Sequence, residues 1–306
     1  MGKPVLPWMV SLHGGHSGEF CDHAEGTLRE LLETAVEVGY HTFGVSEHAP
    51  RNAERFLYSE EKRRGWDLAK VQADFARYRL TVQEVVEEFA DRLIVLRGFE
   101  IEVVPEESYV TWMRGYWEQP LSDGMPAFDY TVGSVHYVDG FQIDGPPENF
   151  LKGVAAFGSA EALAVRYYAL IAEMIEALHP AVVGHLDLIK RNAELAGVGT
   201  DWLTSPAVVR AVEQTLEAVR AHEGILDLNT AGWRKGLGEP YPAPWLVQRA
   251  YAMGVPFCFG DDSHRVSDIG KGLPEAREYL LSLGVPTITV LTREGKEIVR
   301  RTVSLL

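Results

Sequence analysis

Two kinds of hydrophobic pattern alternate along the chain. Short apolar runs rich in β-branched residues predict strands, and longer stretches with apolar residues at helical spacing predict helices. The predicted strands are WMVSLH, HTFGVSEH, LIVLRGFE, DYTVGSVH, AVVGHLD, GILDLN and VPFCFGDDSH, with TITVL near the end. The predicted helices after the first cover residues 67–90, 159–178, 205–222, 242–253 and 273–283. This alternation is typical of βα units around a parallel sheet.

The first helix has the clearest boundaries. Thr27 and Glu30 have the spacing of a capping box, apolar residues recur at positions 28, 31, 32, 35 and 36, and Gly39 is placed to end the helix. No linker, low-complexity tract or repeat of fixed period interrupts the alternation. We therefore predict a single domain that spans residues 1–306.

Polar side chains that can bind metals stand at the ends of nearly all predicted strands. They are His13, Glu47 with His48, Glu100, His136, His185 with Asp187, and Asp262 with His264, while the sixth strand ends in Asn229. In parallel α/β folds the carboxyl ends of the strands lie on one face, where the side chains that do chemistry converge. So many ligand-type residues can meet at one point if the sheet closes on itself. The pattern therefore favours a barrel of about seven strands.

The stretch SLHGGHSGEFCDHAEG, residues 11–26, adds two further histidines and a cysteine. Imidazoles combined with carboxylates suit zinc, iron or manganese, whereas magnesium and calcium prefer oxygen ligands alone. Seven histidines with one glutamate and one aspartate are too many for one tetrahedral ion and fit two or three. A metal cluster of this kind can lower the pKa of water and neutralise the charge that develops during displacement at phosphorus. The residues therefore indicate hydrolysis of a phosphate ester.

Charge and composition narrow the partners. The chain has 29 Lys and Arg against 44 Asp and Glu, a net charge of −15, and no basic run that would follow a nucleic-acid backbone. No segment approaches the roughly 20 apolar residues of a membrane span. Cys21 and Cys258 make no disulfide framework; Cys258 is expected in the core, and the role of Cys21 among the histidines stays open. We expect a cytoplasmic protein that acts on a small molecule, with an oligomeric state that the sequence does not define.

Several motifs resemble those of the polymerase-and-histidinol-phosphatase (PHP) superfamily. They are EHAP, RGFEIE, VGSVH, GHLDLIKR, LDLNTAGWRKGLGEPYP and GDDSHRVSDIG, in the expected order between His13 and Gly270. The stretch around NTAGWRK followed by EPYP is similar to the histidinol-phosphate phosphatase branch. The resemblance implies a distorted (β/α)7 TIM-like barrel and two or three divalent metal ions, which are zinc, iron or manganese. It also implies hydrolysis of L-histidinol phosphate to L-histidinol and phosphate, in histidine biosynthesis, by a hydroxide that bridges two metals.

The resemblance also implies a set of site residues. The metal ligands would be His13, His16, His23, His48, Glu100, His136, His185, Asp262 and His264. Glu100 would bridge two metals, and the leaving alcohol would take its proton from Asp262, His264 or a metal-bound water. One departure concerns the first pair of histidines, which the family separates by one residue and this chain by two glycines. Either these glycines let the loop bulge so that His16 still reaches a metal, which we favour, or His16 lies outside the ligand set.

Other polar residues are candidates for supporting roles. Glu102 shares a strand face with Glu100 and could contact a ligand, whereas Asp187 and Asp261 could either contact ligands or cap helices.

Phosphate recognition needs cations, and the candidates are Arg166, Arg191, Arg234 and Lys235. Glu239 and Tyr241 are candidates for the amino-alcohol side of the substrate. His41, His179 and His222 lack the strand-end setting and are excluded from the site.

Three long loops, residues 49–66, 103–128 and 137–158, follow strand ends on the predicted metal face. They could form a lid, or their aromatic residues Trp112, Tyr116 and Trp117 could merely pack against the barrel; both alternatives remain open.

Two rival functions also remain open. One is a phosphatase or phosphodiesterase that acts on another small ester, because a family resemblance defines metal chemistry better than it defines the leaving group. The other is a non-catalytic metal-binding module that docks a partner. A nuclease is less favoured because the acidic chain lacks a basic groove.

Overall fold

The computed structural model describes residues 6–102, 107–122 and 124–306, and each apolar run predicted as a strand forms one. The strands are β1 (Val10–Ser11), β2 (His13–Gly15), β3 (Thr42–His48), β4 (Ile94–Glu102), β5 (Val132–Ser134), β6 (Tyr137–Val138), β7 (Phe141–Gln142), β8 (Val182–Val183), β9 (Ile225–Asn229), β10 (Phe257–Ser263), β11 (Thr287–Glu294) and β12 (Glu297–Ser304).

The helices are α1 (Leu28–Val38), α2 (Ser59–Arg63), α3 (Leu68–Phe89), α4 (Glu107–Trp117), α5 (Pro147–Phe157), α6 (Ala160–Leu178), α7 (Pro206–Ala221), α8 (Ala231–Arg234), α9 (Pro244–Ala252) and α10 (Leu273–Ser282). Short 3₁₀ turns cover Glu54–Phe56, Leu188–Asn192, Asp201–Thr204 and Val266–Asp268. In α1 the predicted capping box forms, since Thr27 accepts a hydrogen bond from the Glu30 amide and Gly39 ends the helix with φ of 97°.

The main sheet is a closed parallel barrel. Its eight strand segments follow the order β1-β3-β4-β5-β8-β9-β10-β2, and all neighbours are parallel. Segments β1 and β2 stand at opposite ends of this order, yet Leu12 alone separates them in the chain. The two ends of the sheet are therefore one interrupted strand, which closes a barrel with seven strand positions. The predicted distorted (β/α)7 TIM-like barrel is confirmed.

The closure between β2 and β10 is irregular. His13 pairs with Gly260 but Gly15 pairs with Ser263, so β10 contains one extra residue over this interval. A bulge of this kind bends a strand and re-aims its side chains. Gly15 has φ of 116°, and a Cβ atom there would lie 2.0 Å from the Ser263 carbonyl oxygen. Glycine is therefore required where the two strands approach most closely.

The long loops contain structure that the sequence pattern did not reveal. They hold α2, α4, α5 and the β6–β7 hairpin, although residues 103–106 and 123 of the second loop lie outside the described residues. In α4, Tyr116 packs edge-on against Phe75 with ring centroids 6.2 Å apart, and Trp117 packs edge-on against Phe99 with centroids 6.1 Å apart. These contacts favour packing against the barrel for the second loop.

Two further features lie outside the barrel. Strand β12, which the sequence analysis missed, pairs antiparallel with β11 along its whole length. Within the described ranges, no single helix is long and apolar enough to span a membrane. Helices α5 and α6 taken together reach that length and apolarity, but they are bent by 96° relative to each other.

Candidate metal centre

Eight of the nine predicted ligands line one cavity of about 580 Å³ at the carboxyl ends of the barrel strands, and the fully buried His13 is not among its lining residues. Five overlapping groups of three residues have their ligand atoms within 4.8 Å of one another. The groups are His16–His48–His264, Cys21–His23–His48, His13–His16–Glu100, His13–His185–Asp262 and Glu100–His136–His185. Every residue that the sequence analysis proposed as a ligand belongs to at least one group.

Glu100 lies at the middle of the cluster, and its two oxygens face different histidines. Oε1 lies 3.1 Å from His185 Nε2 and 3.7 Å from both His13 Nε2 and His136 Nε2. Oε2 lies 3.1 Å from His48 Nδ1 and 3.4 Å from His16 Nε2. A carboxylate with each oxygen turned to a separate set of imidazoles has the arrangement that a bridging ligand needs.

His16 lies inside the cluster despite the extra glycine before it. Its side chain is 1% exposed, and its ring stacks on that of His48 with centroids 3.9 Å apart. Nε2 of His16 also lies 3.7 Å from Asp262 Oδ1. The His16 imidazole therefore lies in the site, as the favoured alternative of the sequence analysis expects, but the extra residue at the barrel closure lies in β10 and not in the glycine loop.

The outer part of the cluster contains His23 and His264, whose ring centroids are 4.8 Å apart. The ring of His264 lies equally close to that of His16. His23 Nδ1 lies 2.9 Å from Asp22 Oδ1, and the buried thiol of Cys21 lies beside the same ring, with Sγ 3.3 Å from Nδ1 and 3.5 Å from Nε2. His264 donates its Nδ1 proton to the Asp262 carbonyl oxygen at 3.1 Å, because a carbonyl can only accept. Its Nε2 is then unprotonated and suited to a metal.

Buried imidazole nitrogens without partners indicate that this cluster is built for cations. Among the described residues, several imidazole nitrogens are buried without a well-formed hydrogen bond, namely His13 Nε2, both nitrogens of His16, both of His48 and Nδ1 of His185, although Glu100 lies near three of them. Buried polar atoms are rarely left in this state. In addition, Nε2 of His136 lies 3.3 Å from Nε2 of His185, about the spacing of two imidazole nitrogens on one tetrahedral zinc ion with Zn–N of about 2.0–2.1 Å. The donor set therefore fits zinc, iron or manganese.

Carboxylates behind the cluster orient two of its histidines. His13 donates from Nδ1 to Asp227 Oδ2 at 2.8 Å, and His136 donates from Nδ1 to Glu102 Oε1 at 2.6 Å. Each bond turns the Nε2 atom of the histidine toward Glu100 and fixes the tautomer, as carboxylates behind metal-binding histidines commonly do. Glu102 thus contacts a candidate ligand, as the sequence analysis considered. Asp227 was missed, although it shares a strand face with Asn229.

A buried cation holds Glu102 in turn. Arg51, 1% exposed, donates from Nη2 to Glu102 Oε1 at 3.0 Å, and the Tyr58 hydroxyl donates to the same oxygen. Although burial opposes ionisation, Arg51 and His136 hold the pKa of Glu102 well below its ordinary value. Neither Arg51 nor Tyr58 was recognised from the sequence, because each lies in an irregular segment after β3.

Asp187 and Asp261 have structural contacts instead. Asp187 Oδ2 accepts a hydrogen bond from the Ala243 amide at 2.9 Å, at the start of α9. Asp261 accepts from the Tyr40 hydroxyl at 2.5 Å and from the Gly270 amide at 2.8 Å. Asp187 therefore does not cap a helix but holds the residue before α9 and pairs with Lys190 Nζ at 2.9 Å, and Asp261 anchors the segment after β10.

The charges within the cluster favour ionised carboxylates. Although burial opposes ionisation, His13 and His136 hold the pKa of Glu100 well below its ordinary value. Against the same opposition from burial, Lys235 and His16 hold the pKa of Asp262 well below its ordinary value. Burial lowers the pKa of His264 well below its ordinary value, with His16 and His23 adding to the effect. Although burial acts in the opposite direction, Glu100 and Asp227 raise the pKa of His13, and Glu102 raises that of His136 to about 9, so these two imidazoles lose a proton when a metal ion binds.

Two candidate ligands have strained backbone conformations. His185 has φ of 26° and Asp262 has φ of 47°, values that are uncommon for residues other than glycine. Such conformations persist where the surrounding structure holds them, and they cluster at functional sites. The His185 amide supports this geometry by donating to Asp227 Oδ1 at 2.5 Å.

The predicted substrate residues divide into two sets. Arg191, Arg234 and Lys235 line the cavity, and Arg166, Glu239 and Tyr241 are not among its described lining residues. Arg166 lies on α6 and pairs instead with Asp139 at 2.9 Å and Glu173 at 2.6 Å. Arg166 is excluded because α6 lies outside the barrel, whereas Arg191 follows β8 and Arg234 and Lys235 follow β9 on the metal face.

Glu239 and Tyr241 also have other surroundings. Glu239 accepts a hydrogen bond from Lys190 Nζ at 2.7 Å, and Tyr241 is fully buried behind His185 with ring centroids 6.2 Å apart. The cavity holds a different acid, Asp144, which the sequence analysis missed. Its Oδ1 is buried without a hydrogen-bond partner, and its Oδ2 lies 3.6 Å from Arg191 Nη1.

Comparison with known proteins agrees with this geometry. The PHP domain family matches residues 13–231. A probable histidinol-phosphatase of Deinococcus radiodurans is 31% identical over 277 residues, which are 90% of this chain and 94% of that protein. The histidinol-phosphatase of Saccharomyces cerevisiae is 26% identical over 298 residues, with 89% and 88% covered.

A solved structure shares the fold. It is histidinol phosphate phosphatase from Lactococcus lactis, determined in complex with zinc, L-histidinol and phosphate. The two structures superpose with a TM-score of 0.68 at 18% identity, covering 95% of this chain and 98% of the other.

Proposed function

The chain belongs to the PHP domain family, and on that basis we propose that it hydrolyses L-histidinol phosphate to L-histidinol and phosphate with bound divalent metal ions. The observation that carries the proposal is the cluster of seven histidines, Glu100 and Asp262 at a cavity whose wall also contains Arg191 and Lys235. The relatives named as histidinol-phosphatases support the choice of substrate.

The cluster would hold two or three ions of zinc, iron or manganese. The ligands would be the nine residues that the sequence analysis proposed, with Glu100 between two sets of imidazoles. Bound metals supply Lewis acidity toward phosphoryl oxygens and lower the pKa of water toward neutrality. Asp227 and Glu102 keep the Nε2 atoms of His13 and His136 turned toward the cavity.

Two cations are suited to the phosphoryl group. The Arg191 guanidinium lies in the cavity wall, and Lys235 Nζ lies 3.8 Å from Asp262 Oδ2 at the edge of the cluster. Arg234 is more constrained, because its Nη2 donates to the backbone carbonyl oxygens of Asp261 and Asp262 and its Nη1 donates to Thr230. We assign phosphate binding to Arg191 and Lys235, and assign to Arg234 the role of holding the strained end of β10.

Asp144 is suited to the other end of the substrate. Histidinol has an ammonium group beside the carbon that bears the ester oxygen, so its recognition calls for a carboxylate within the same cavity. Asp144 Oδ1 is buried there without a partner. This residue takes the role that the sequence analysis gave to Glu239.

Asp262 and His264 are suited to metal binding more than to proton donation. The pKa of Asp262 is held well below its ordinary value by Lys235 and His16 against the effect of burial, and the proton of neutral His264 is committed to a carbonyl oxygen. We therefore propose that both residues contribute to catalysis as ligands.

We also propose that residues 1–306 form one PHP domain and that the protein is located in the cytoplasm. Both statements stay predictions from the sequence.

Phosphate release from L-histidinol phosphate tests the function. The purified protein, supplemented with manganese or zinc, is assayed beside a chelated sample, a panel of small phosphomonoesters and one phosphodiester. We expect release that the chelator abolishes and that strongly favours histidinol phosphate. Equal activity over the panel would support a phosphatase of another small ester, and inactivity with every ester at full metal loading would support a metal-binding module.

Exchange of Arg191 for methionine should raise KM for L-histidinol phosphate by about tenfold to hundredfold, the effect of losing one charge-assisted hydrogen bond of about 1.5–3 kcal/mol. Arg166→Met is the matched control, because Arg166 is occupied by Asp139 and Glu173 outside the cavity. Steady-state kinetics should place the control within about twofold of the parent protein. A larger effect of Arg166→Met than of Arg191→Met would reverse the assignment.

Asp144→Asn should raise KM for L-histidinol phosphate by about tenfold, since the ammonium group loses its charged partner. A phosphomonoester without an amine, such as 4-nitrophenyl phosphate, is the control substrate, and its KM should change by less than about twofold. Kinetics with both substrates separate recognition of the amine from damage to the site. Equal losses with both substrates would assign Asp144 to the metal centre or the fold.

A further inference from the structure

Glu47 ends a barrel strand beside the metal ligands and has no part in the function proposed so far. The sequence analysis placed it among the polar residues at strand ends, yet within the described chain it belongs to none of the five ligand groups. Its side chain is 1% exposed and lines a separate cavity of about 20 Å³ between β3 and α3. Because glutamate is almost never fully buried without a partner, this position calls for an explanation other than metal binding.

The carboxylate of Glu47 holds the residue that follows His16. Its Oε1 accepts hydrogen bonds from the Ser17 amide at 2.7 Å and from the Ser17 hydroxyl at 2.6 Å. Ser17 is itself fully buried, and hydrogen bonds to a carboxylate are stronger than those between neutral groups. Ser17 is therefore fixed at two points, one on its backbone and one on its side chain.

Ser46 holds the residue that precedes His16. Its hydroxyl accepts a hydrogen bond from the Gly15 amide at 3.0 Å and lies 3.4 Å from the Gly15 carbonyl oxygen. Between these two attachments, the His16 amide donates to the Ser263 carbonyl oxygen of β10 at 2.8 Å. The amides of residues 15, 16 and 17 thus all have partners on other barrel strands.

The next residue of β3 contacts the imidazole of the loop. His48 stacks on His16 with ring centroids 3.9 Å apart. Successive side chains of a strand point to opposite faces, so His16 lies against one face of β3 and Ser17 against the other. The loop therefore crosses the carboxyl end of β3 between these two residues. A shift of the loop along β3 would break the Ser17 hydrogen bonds and separate the two imidazoles at the same time.

We propose that Glu47 is a positioning residue for the metal centre, which acts through Ser17 to hold the His16 imidazole against His48. Together with His264, these two imidazoles form one of the groups whose ligand atoms lie within 4.8 Å of one another. The two glycines before His16 do not fix its direction by themselves, because glycine has access to many backbone conformations. The inference rests on the proposed metal centre, and it is independent of which phosphate ester the protein hydrolyses.

The role assigned to Glu47 needs an oxygen acceptor and not a negative charge. Glutamine has an acceptor oxygen at the same reach, whereas methionine has a similar length and lacks the oxygen. If Glu47 instead bound a metal or attracted cations by its charge, both substitutions would weaken metal binding. Comparison of Glu47→Gln with Glu47→Met therefore distinguishes positioning from direct participation.

Titration of the metal-free protein with Zn²⁺ tests the proposal without relying on activity. Calorimetry gives the stoichiometry and affinity, and circular dichroism establishes that each variant is folded. Glu47→Met should weaken binding of one ion by about 10–100-fold, and Glu47→Gln should stay within about threefold of the parent. A merely structural role would lower the stability of folded Glu47→Met and leave its zinc affinity unchanged. That result, or equal losses in Glu47→Gln and Glu47→Met, would overturn the proposal.

Serine variants cover the case in which Glu47→Met does not fold. The double variant Ser17→Ala, Ser46→Ala removes the hydroxyl contacts on both sides of His16 and should bind Zn²⁺ about tenfold more weakly than the parent. Ser263→Ala is the matched control, because Ser263 is fully buried beside the same loop and its Oγ has no hydrogen-bond partner among the described residues. Its zinc affinity should equal that of the parent. Equal affinity in the double variant and the control contradicts the proposal.

The parent protein separates failure of this inference from failure of the proposed function. A parent that binds no Zn²⁺ would refute the metal centre and this inference with it. A parent that binds Zn²⁺ but does not hydrolyse L-histidinol phosphate would refute the substrate assignment alone, and the comparison of the Glu47 variants would still decide the role of Glu47.

Discussion

Glu100→Gln will leave a folded protein that has lost most of its bound metal and about 10³-fold or more of its phosphatase activity. The amide keeps the size of the side chain but has one oxygen, and that oxygen cannot face both His185 and His48 as the two carboxylate oxygens do. The amide nitrogen would then be turned toward imidazole nitrogens that bind cations. Metal content measured by elemental analysis, together with kcat/KM, checks this result.

The control for Glu100→Gln is Glu88→Gln on the exposed face of α3, where the carboxylate pairs with Arg29. That variant should retain its metal content and its activity, because a surface ion pair contributes little. Circular dichroism establishes that both variants are folded. A Glu100→Gln protein with full metal content and activity within tenfold of the parent would rule out a bridging role for Glu100.

Asp227→Asn should lower metal affinity by about 10–100-fold and lower the free energy of unfolding of the metal-free protein by about 1–3 kcal/mol. The three groups that face this carboxylate are all donors, namely His13 Nδ1, the His185 amide and Asn229 Nδ2. An asparagine amide presents its own donor to one side, so at least one of these buried donors loses its partner. His13 is then no longer held with Nε2 toward Glu100.

Metal titration and urea denaturation of the metal-free protein measure the two effects of Asp227→Asn separately. The exposed Asp91 provides the matched control, since Asp91→Asn should change the free energy of unfolding by no more than about 0.5 kcal/mol. Unchanged metal affinity in Asp227→Asn would show that the tautomer of His13 is set by another group.

Residues at strand ends were predictable, and the reason is geometric. A side chain at the carboxyl end of a parallel strand faces the site whatever the exact tilt of the strand, so strand prediction alone placed His48, Glu100 and His136 correctly on the metal face. The extra glycine before His16 left two alternatives, because the His16 amide bonds to the Ser263 carbonyl oxygen of the distant β10, a contact that no local pattern reveals.

Residues that act through others were harder to find. Arg51 and Asp144 lie in segments without hydrophobic periodicity, and their contacts depend on how those segments fold over the barrel. Arg166 and Arg191 look alike in sequence, yet α6 carries the first to the outside while the turn after β8 keeps the second at the cavity. Strand β12 was missed because its residues are largely polar and exposed, and it is ordered by pairing with β11.

The split first strand has a consequence for the order of assembly. Segment β2 finds its partner in β10, so His13 meets Gly260 across nearly the whole sequence. Contacts of such long range form late, because the intervening chain must be ordered before they can be made. His13 and His16 therefore remain outside a finished metal site until β10 has docked. Metal capture should coincide with closure of the barrel, and metal ions should accelerate or stabilise that last step while leaving the earlier βα units unaffected.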